Sequence, residues 1–292
     1  MPVLESLTEL SRTPDRIVSL VPSMTESLFD LDLDLGKAVV GVSDYCTRPE
    51  GRLTGISRIG GPKTIDVAHV LALNPVLVIA NREENDREAV LALAEKVQVW
   101  APFPLTVQDV LRDLWALAYL GRSQQGLMRM RLLETAVEMA EESLGDETGI
   151  RYFCPIWQGQ AGNTRWWMTF NQESYSSDLL RLLGGVTCFA QRQRRNPLAA
   201  DLDTTVAPEE GTYDRRYPRV TKAEILAAQP DVILLPDDPF AYSQRHVDEF
   251  HSIFAETPAV KQGKVSLVDG SLITWCGTRL GLALSELPDV FR

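Results

Sequence analysis

Ser123-Gln-Gln-Gly-Leu-Met-Arg-Met-Arg-Leu-Leu-Glu-Thr-Ala-Val-Glu-Met-Ala-Glu-Glu-Ser-Leu144 decides how the rest of the chain is read. Leu127, Met130, Leu133, Val137, Ala140 and Leu144 recur at intervals of three and four, the spacing of one apolar helix face. Arg129, Arg131, Glu134, Glu138, Glu141 and Glu142 put charge on the remainder, and Gly145 follows as a stop. At 1.5 Å per residue such a helix is roughly 30 Å long, about a domain diameter. It falls near the middle of the 292 residues, with a strand-and-helix half on either side. This placement makes it a rod joining two lobes rather than one more packing helix.

Before the rod, Arg16–Val21 is a short β-rich run ending at Pro22, and Ser23 or Thr25 caps a helix that Gly36 stops. Ala38–Val42 is the next strand, so the pair forms a parallel strand–helix–strand unit. The loop Ser43–Lys63 follows; long loops after strand ends in α/β folds are where ligands sit. Asp66–Leu73 reads as a helix, Val76–Ala80 as a strand, Ala89–Lys96 as a helix and Val97–Trp100 as a strand. Thr106 and Asp109 open one more helix. Beyond the rod the order repeats. With Pro75 laid over Pro230, Val70–Ile79 lies over Ile225–Leu234 without a gap, so helix, proline break and apolar strand coincide. A strand at Tyr152–Ile156, a helix from Ser176 through Leu183, the strand Val265–Val268 and a helix from Leu280 to Leu287 complete the second half. The ordered matches indicate an internal duplication.

Composition limits the function. The chain carries 45% hydrophobic and 24% charged residues, ordinary for a globular protein, and a formal charge of −11 that excludes a phosphate-backbone partner. Its densest basic run, Arg192, Arg194 and Arg195, reads as a solvated loop. Cys46, Cys154, Cys188 and Cys276 are scattered, which is not a disulfide framework. The stretch Met1–Asp15 lacks a basic n-region and a continuous apolar core, and no apolar run approaches a membrane span. The chain as given therefore reads as cytoplasmic, or extracytoplasmic if an export signal has been removed. There is no G-x-S-x-G, no phosphate loop and no G-x-G-x-x-G after a strand, so a non-catalytic binding module is favoured over an α/β enzyme.

Arg16-Ile-Val-Ser-Leu-Val-Pro-Ser-Met-Thr-Glu26, Val39-Val-Gly-Val-Ser-Asp-Tyr45, Leu71–Ala80, Asp178-Leu-Leu-Arg-Leu-Leu-Gly-Gly185 and the Pro230 segment together resemble the class III substrate-binding proteins. These helical-backbone receptors include vitamin B12 and ferric-siderophore binders, and the likeness, from about residue 15 to 287, is closest to the cobalamin branch. The resemblance implies an α/β fold of two Rossmann-like lobes, 1–121 and 147–292, joined by a backbone helix within 122–146, with a ligand cleft between the lobes. It implies a small-molecule ligand, a cobalamin-like corrinoid or another metal chelate, and no cofactor of the protein's own. The partner it implies is the permease of an ABC-type importer. The alternative is an orphan cytoplasmic receptor that docks on no permease. Neither nucleic acid nor membrane insertion is expected.

In the vitamin B12 binders, aromatic side chains sandwich the corrin. Tyr45 falls where that branch has a ligand-contacting tyrosine, and Tyr217, Pro62 and Asn81 fall where it has tryptophans. Trp166 and Trp167, in an aromatic cluster with Trp157, Phe170 and Tyr175, are further candidates; neighbours in an extended segment face opposite ways, so one of them points off its core. Trp275 follows the late strand. Trp100 and Trp115 are assigned to core packing. Cys46, Arg48, Gly61 and Arg82 in the first lobe and Arg279 in the second are the polar and loop candidates, with Glu83 and Asn85 beside them. A soft metal bridging Cys46 and Cys276, or held by His69, His246 or His251, is disfavoured on spacing, and no metal site is assigned. Exported members dock through one acidic residue per lobe. The matching positions hold Ala68 and Ala223, which leaves Asp66 and Glu224 close by as docking candidates.

Overall fold

The computed structural model describes residues 3–10, 12–144 and 149–291. The contacts divide the chain into two compact units: Met1–Val137 with Trp275–Gly281, and Glu138–Thr274 with Leu282–Arg292.

Unit 1 is a parallel sheet built on four strands, β1 (Ile17–Ser19), β2 (Val39–Val42), β3 (Leu77–Ile79) and β4 (Gln98–Trp100), in the order β4-β3-β1-β2. Short edge strands extend it, Val3–Leu4 beside β4 and Ser57–Arg58 beside β2. β1 is wholly buried, as a parallel strand covered on both faces must be. The helix after β1 spans Pro22–Leu31 and starts on its proline, whose fixed φ suits the first turn. The expected cap at Ser23 or Thr25 is corrected: Thr25 Oγ1 donates back to the Val21 carbonyl (2.9 Å) and lies 2.8 Å from Ser19 Oγ. Gly36 does not stop this helix either. Asp32 breaks it at φ −152° and caps a second short helix, Leu33–Lys37, by accepting from Asp34 N (2.8 Å) and Leu35 N (3.0 Å). Gly36 lies inside that second helix, against Phe29.

Unit 2 holds β5 (Ile150–Phe153), β6 (Gly185–Thr187), β7 (Val232–Pro236) and β8 (Val265–Val268), all parallel, in the order β8-β7-β5-β6. This is the order of unit 1. The likeness extends to single bonds. Ile17 N and Ile150 N donate to Ala38 O and Gly184 O, the residues that precede β2 and β6. Asn74 (φ 48°) and Gln229 (φ 47°) are both left-handed immediately before Pro75 and Pro230. The next amides, Val76 N and Asp231 N, donate to Arg16 O (2.9 Å) and Arg151 O (2.8 Å). The same arginines then reach the last helical turn: Arg16 Nε to Leu73 O (2.9 Å), and Arg151 Nη2 to Ala228 O (2.8 Å). A duplicated sequence explains why one helix-end solution recurs at equivalent positions.

What unit 2 adds is an antiparallel hairpin between β5 and its helix Tyr175–Leu182, made of Trp157–Ala161 and Thr164–Met168, with Arg219–Thr221 as a third strand. The segment Gln158–Thr164, which the sequence reading leaves without an element, lies in this hairpin; Gly162 at φ +56° opens its two-residue turn. The helix Gln124–Glu142 forms as the periodicity requires, with Met130 and Val137 buried and Leu127, Leu133 and Ala140 half-buried; Leu144, expected on the same face, is half-buried just past its end. A side chain at Gly126 would come within 2.5 Å of the Leu31 carbonyl, so glycine lets this helix approach backbone. The boundary between the units falls inside it, after Val137. Gly145, its expected stop, lies outside the described residues.

Candidate functional site

In unit 1 the strand exits are organised by a buried polar knot. Cys46 Sγ lies 3.1 Å from Thr25 Oγ1 and 3.2 Å from Ser43 Oγ, and Arg58 Nη1 donates to both Ser43 O (2.9 Å) and Cys46 O (2.7 Å). Cys46 is fully buried, and burial pushes its thiol pKa up, so it is neutral. Its expected contact with ligand is corrected: it anchors the turn whose next-door residue is displayed. That residue is Tyr45, 64% exposed. A side chain at Gly61 would come within 3.2 Å of the Tyr45 ring, so glycine leaves the ring its place.

Asn81 is also corrected from ligand contact to scaffold. It is buried; its Oδ1 accepts from Glu83 N (2.7 Å) and Glu84 N (3.3 Å), and its amide donates to Asn85 Oδ1 (2.8 Å). Asp86 N donates to Pro62 O (3.0 Å), tying this turn to the half-buried Pro62. Arg48 and Arg82 are exposed, and Arg82 Nε donates to Ala101 O (3.0 Å). Asp66 is exposed and caps Val67–Ala72 through His69 N (2.9 Å).

Trp275 and Arg279, expected on the second lobe, belong to unit 1. Thr278 explains the return: its Oγ1 donates to Asp30 Oδ2 (2.7 Å) and its amide to Ser27 Oγ (3.0 Å), while Gly277 leaves no room for a side chain beside Ser23 O. Arg279 is buried, 3.6 Å from Glu26, with its guanidinium 5.7 Å from the centre of the half-buried Trp275 ring. A paired and buried guanidinium stacked on an indole holds that indole in place; Trp275 is the partly exposed group of the two.

In unit 2 the alternation along Thr164–Met168 separates the two tryptophans. Trp167, 1% exposed, packs edge-on against Phe250 and Phe254 in the core, with ring centres 6.0 and 5.4 Å away. Its expected ligand contact is corrected for that reason. Trp166 takes the other face, half-buried over Gly159, with its Nε1 buried and unpaired. Trp157 is 45% exposed, its ring edge-on to Phe240 at 5.5 Å. Phe240 in turn meets Tyr242 and His246. His246 is buried and accepts at Nδ1 from Ser243 N (3.0 Å), a helix-capping duty; burial and the nearby Arg245 lower its pKa. Tyr217 is half-buried under the Arg216 guanidinium, 5.1 Å from its ring centre. Trp100 is core as expected, whereas Trp115 is only half-buried and stacks on exposed Tyr119.

The run Arg192–Arg195, expected to be a solvated loop, is corrected to a charge network. Asp201, with its side chain fully buried, accepts from Arg219 Nε (2.8 Å), Arg192 Nη1 (3.0 Å) and Arg195 N (2.9 Å). Glu224 is committed as well, capping its own helix at Thr221 N (2.8 Å) and accepting from Arg192 Nε (3.0 Å). Trp157 and this network are the features sequence reasoning passed over. The two-residue Gly162-Asn163 turn was the available signal for the first; nothing local announced the second.

Among the described residues no group of three or more His, Cys, Asp or Glu is placed to hold a metal, and no helix is long and apolar enough to cross a membrane. What the strand exits of each unit present is aromatic surface on a hydrogen-bonded scaffold, the equipment of a receptor built on two like α/β lobes. The family model for periplasmic binding proteins matches residues 17–272, and the chain belongs to that family. A vitamin B12-binding protein of Vibrio cholerae is 25% identical over 234 residues, 78% of this chain and 72% of that one. One from Vibrio parahaemolyticus is 22% identical over 98% of this chain and 93% of its own. Among solved structures, the periplasmic vitamin B12 binding protein of Vibrio cholerae superposes with a TM-score of 0.75 at 21% identity, covering 96% of this chain and 97% of that one. A periplasmic heme-binding protein from Roseiflexus sp. RS-1 gives 0.71 at 23% identity, with 94% and 97% covered. The two-lobed α/β fold is thereby shown. These relatives are binding proteins by name, and the cytoplasmic orphan reading finds no support among them.

Proposed function

We propose that the chain is the binding component of an ABC-type importer and that its ligand is a flat metal chelate, a cobalamin-like corrinoid or a related macrocycle. The observation that carries this is an exposed aromatic at the strand exits of each unit: Tyr45, displayed on a turn whose flanking carbonyls Arg58 holds, and Trp157, edge-on to Phe240. Wide rings held rigidly offer large apolar contact at low entropic cost, which suits a planar ligand. Trp275, Trp166 and Tyr217 are half-buried companions, and Arg48, Arg82, Gly61 and Pro62 complete the proposed ligand surface. For docking on a permease, Asp66 is the stronger of the two acidic candidates, because the carboxylate of Glu224 is already spent on Arg192 and Thr221.

The test is retention. The protein is incubated separately with cyanocobalamin and with hemin, desalted, and its visible absorbance recorded. Stoichiometric retention of one chelate is the expected result, and loss of both on the column contradicts the proposal.

A further inference from the structure

The loop that leaves β6 in unit 2 is, by the internal repeat, the counterpart of the loop that carries Tyr45 out of β2 in unit 1. It therefore lies where α/β sheets take ligands. Of its arginines, Arg192 is matched by Asp201 and Glu224, and Arg195 Nη2 donates to Val206 O (2.8 Å). Arg194 is different. Its amide donates to Arg215 O (2.9 Å), but its Nε is buried without an acceptor, and no carboxylate among the described residues pairs with it.

The nearby acids are spent. Asp201 is shared by Arg219 and Arg192, and Asp214 is held by both Nε (3.0 Å) and Nη2 (2.6 Å) of Arg216. Burial and then the adjacent Arg219 pull the Arg194 pKa down, against a smaller upward pull from Asp201 and Asp214, so those two acids do not offset its charge. The result is an excess of positive charge in a chain whose net charge is −11. A half-buried guanidinium with an unmet donor weakens the fold unless something supplies oxygens to it, and its planar fork suits a two-oxygen anion.

We propose that Arg194 is the anion-binding residue of the unit 2 strand-exit surface and takes a carboxylate or phosphate group of the ligand. This deepens the receptor reading and rests on it, because it narrows the chelate to one bearing such an acid group at its rim. The two sources share one chemistry, a pair of anionic oxygens.

The experiment uses the full chain without chelate, so that it stands apart from the retention test. Thermal midpoints are measured for wild type, Arg194→Met and Arg194→Lys, alone and with sodium pyrophosphate or succinate. Without anion, Arg194→Met is expected to melt higher than wild type by about 2 °C, since an unpaired charge has been removed from a half-buried place. Pyrophosphate or succinate raises the wild-type midpoint, raises that of Arg194→Lys by less, and leaves Arg194→Met unmoved. The more effective probe tells phosphate from carboxylate. A lower midpoint for both variants without anion makes Arg194 a structural residue and overturns the proposal. So does an anion response that is absent in wild type or equal in wild type and Arg194→Met. A chain that answers to the anions yet retains neither chelate keeps Arg194 as an anion site and loses the chelate reading instead.

Discussion

The two units share a strand order and even the same arginine clamp on a helix end, yet they finish their strand exits with opposite chemistry. Unit 1 closes its exits with neutral side chains, Ser19, Thr25, Ser43 and Cys46, hydrogen-bonded in a buried knot that displays Tyr45, with exposed Arg58 bracing two of its carbonyls. Unit 2 inserts a hairpin and a network of arginines around buried Asp201. The sheet is thus an interchangeable platform, and what each copy recognises is set by the loops that leave it. A neutral knot survives loss of one member at modest cost. A buried ionic network does not, because each deletion strands a charge.

The sharpest break of this comparison is Asp201→Ala. It leaves Arg219 and Arg192 without their shared buried carboxylate and should cost about 3–5 kcal/mol of unit 2 stability, read by chemical denaturation with a probe in unit 2. The neutral counterpart, Ser43→Ala, should cost about 1 kcal/mol, read in unit 1. Equal losses would dissolve the distinction.

The second effect is pH-linked and confined to unit 1. Asp113, buried in helix Val107–Gly121, has its pKa pushed up to about 6, chiefly by burial and against the pull of Arg112. A carboxyl raised above its unfolded value near 3.8 favours the folded state fully below that pH and loses this contribution as pH climbs through about 6. Asp113→Asn should therefore melt higher than wild type at pH 7.5 and lose that advantage by pH 4, with a difference on the order of 2 kcal/mol. An advantage independent of pH would contradict it.

Finest of all is the test of the repeat. Arg16→Ala removes the Nε and Nη2 donors, and Arg151→Ala the Nη2 donor, from the carbonyls at a helix end, and each should cost about 1 kcal/mol. A gap between them larger than this would show that the shared geometry carries different loads.

The parts legible in the sequence were those with a period or a punctuation mark. The rod helix was written in Leu127, Met130, Leu133 and Val137, and the repeat in Pro75 and Pro230. Capping was legible where the box was complete, as at Thr106 and Asp109, whose mutual bonds form as expected. Illegible were the features that depend on distant partners. Nothing near Cys46 says that Thr25 will bury it, and nothing near Arg192 says that Asp201 and Glu224 will meet it. The return of Trp275–Gly281 to unit 1 rests on Ser27 and Asp30, some 250 residues earlier in the chain. The hairpin was missed because Gln158, Gly159 and Gln160 are poor strand formers, overridden by pairing with the strongly β-prone Thr164–Met168.

Central to the proposal is that the exposed aromatics Tyr45 and Trp157 each contribute to holding a flat ligand. Equilibrium titration with the retained chelate, followed by intrinsic fluorescence, tests this on wild type, Tyr45→Ala, Trp157→Ala and the double variant. Each single change should weaken binding by about 10-fold with the thermal midpoint held, as loss of one stacked ring worth roughly 1–2 kcal/mol requires, and the double change should weaken it further. Wild-type affinity in the double variant would contradict the account.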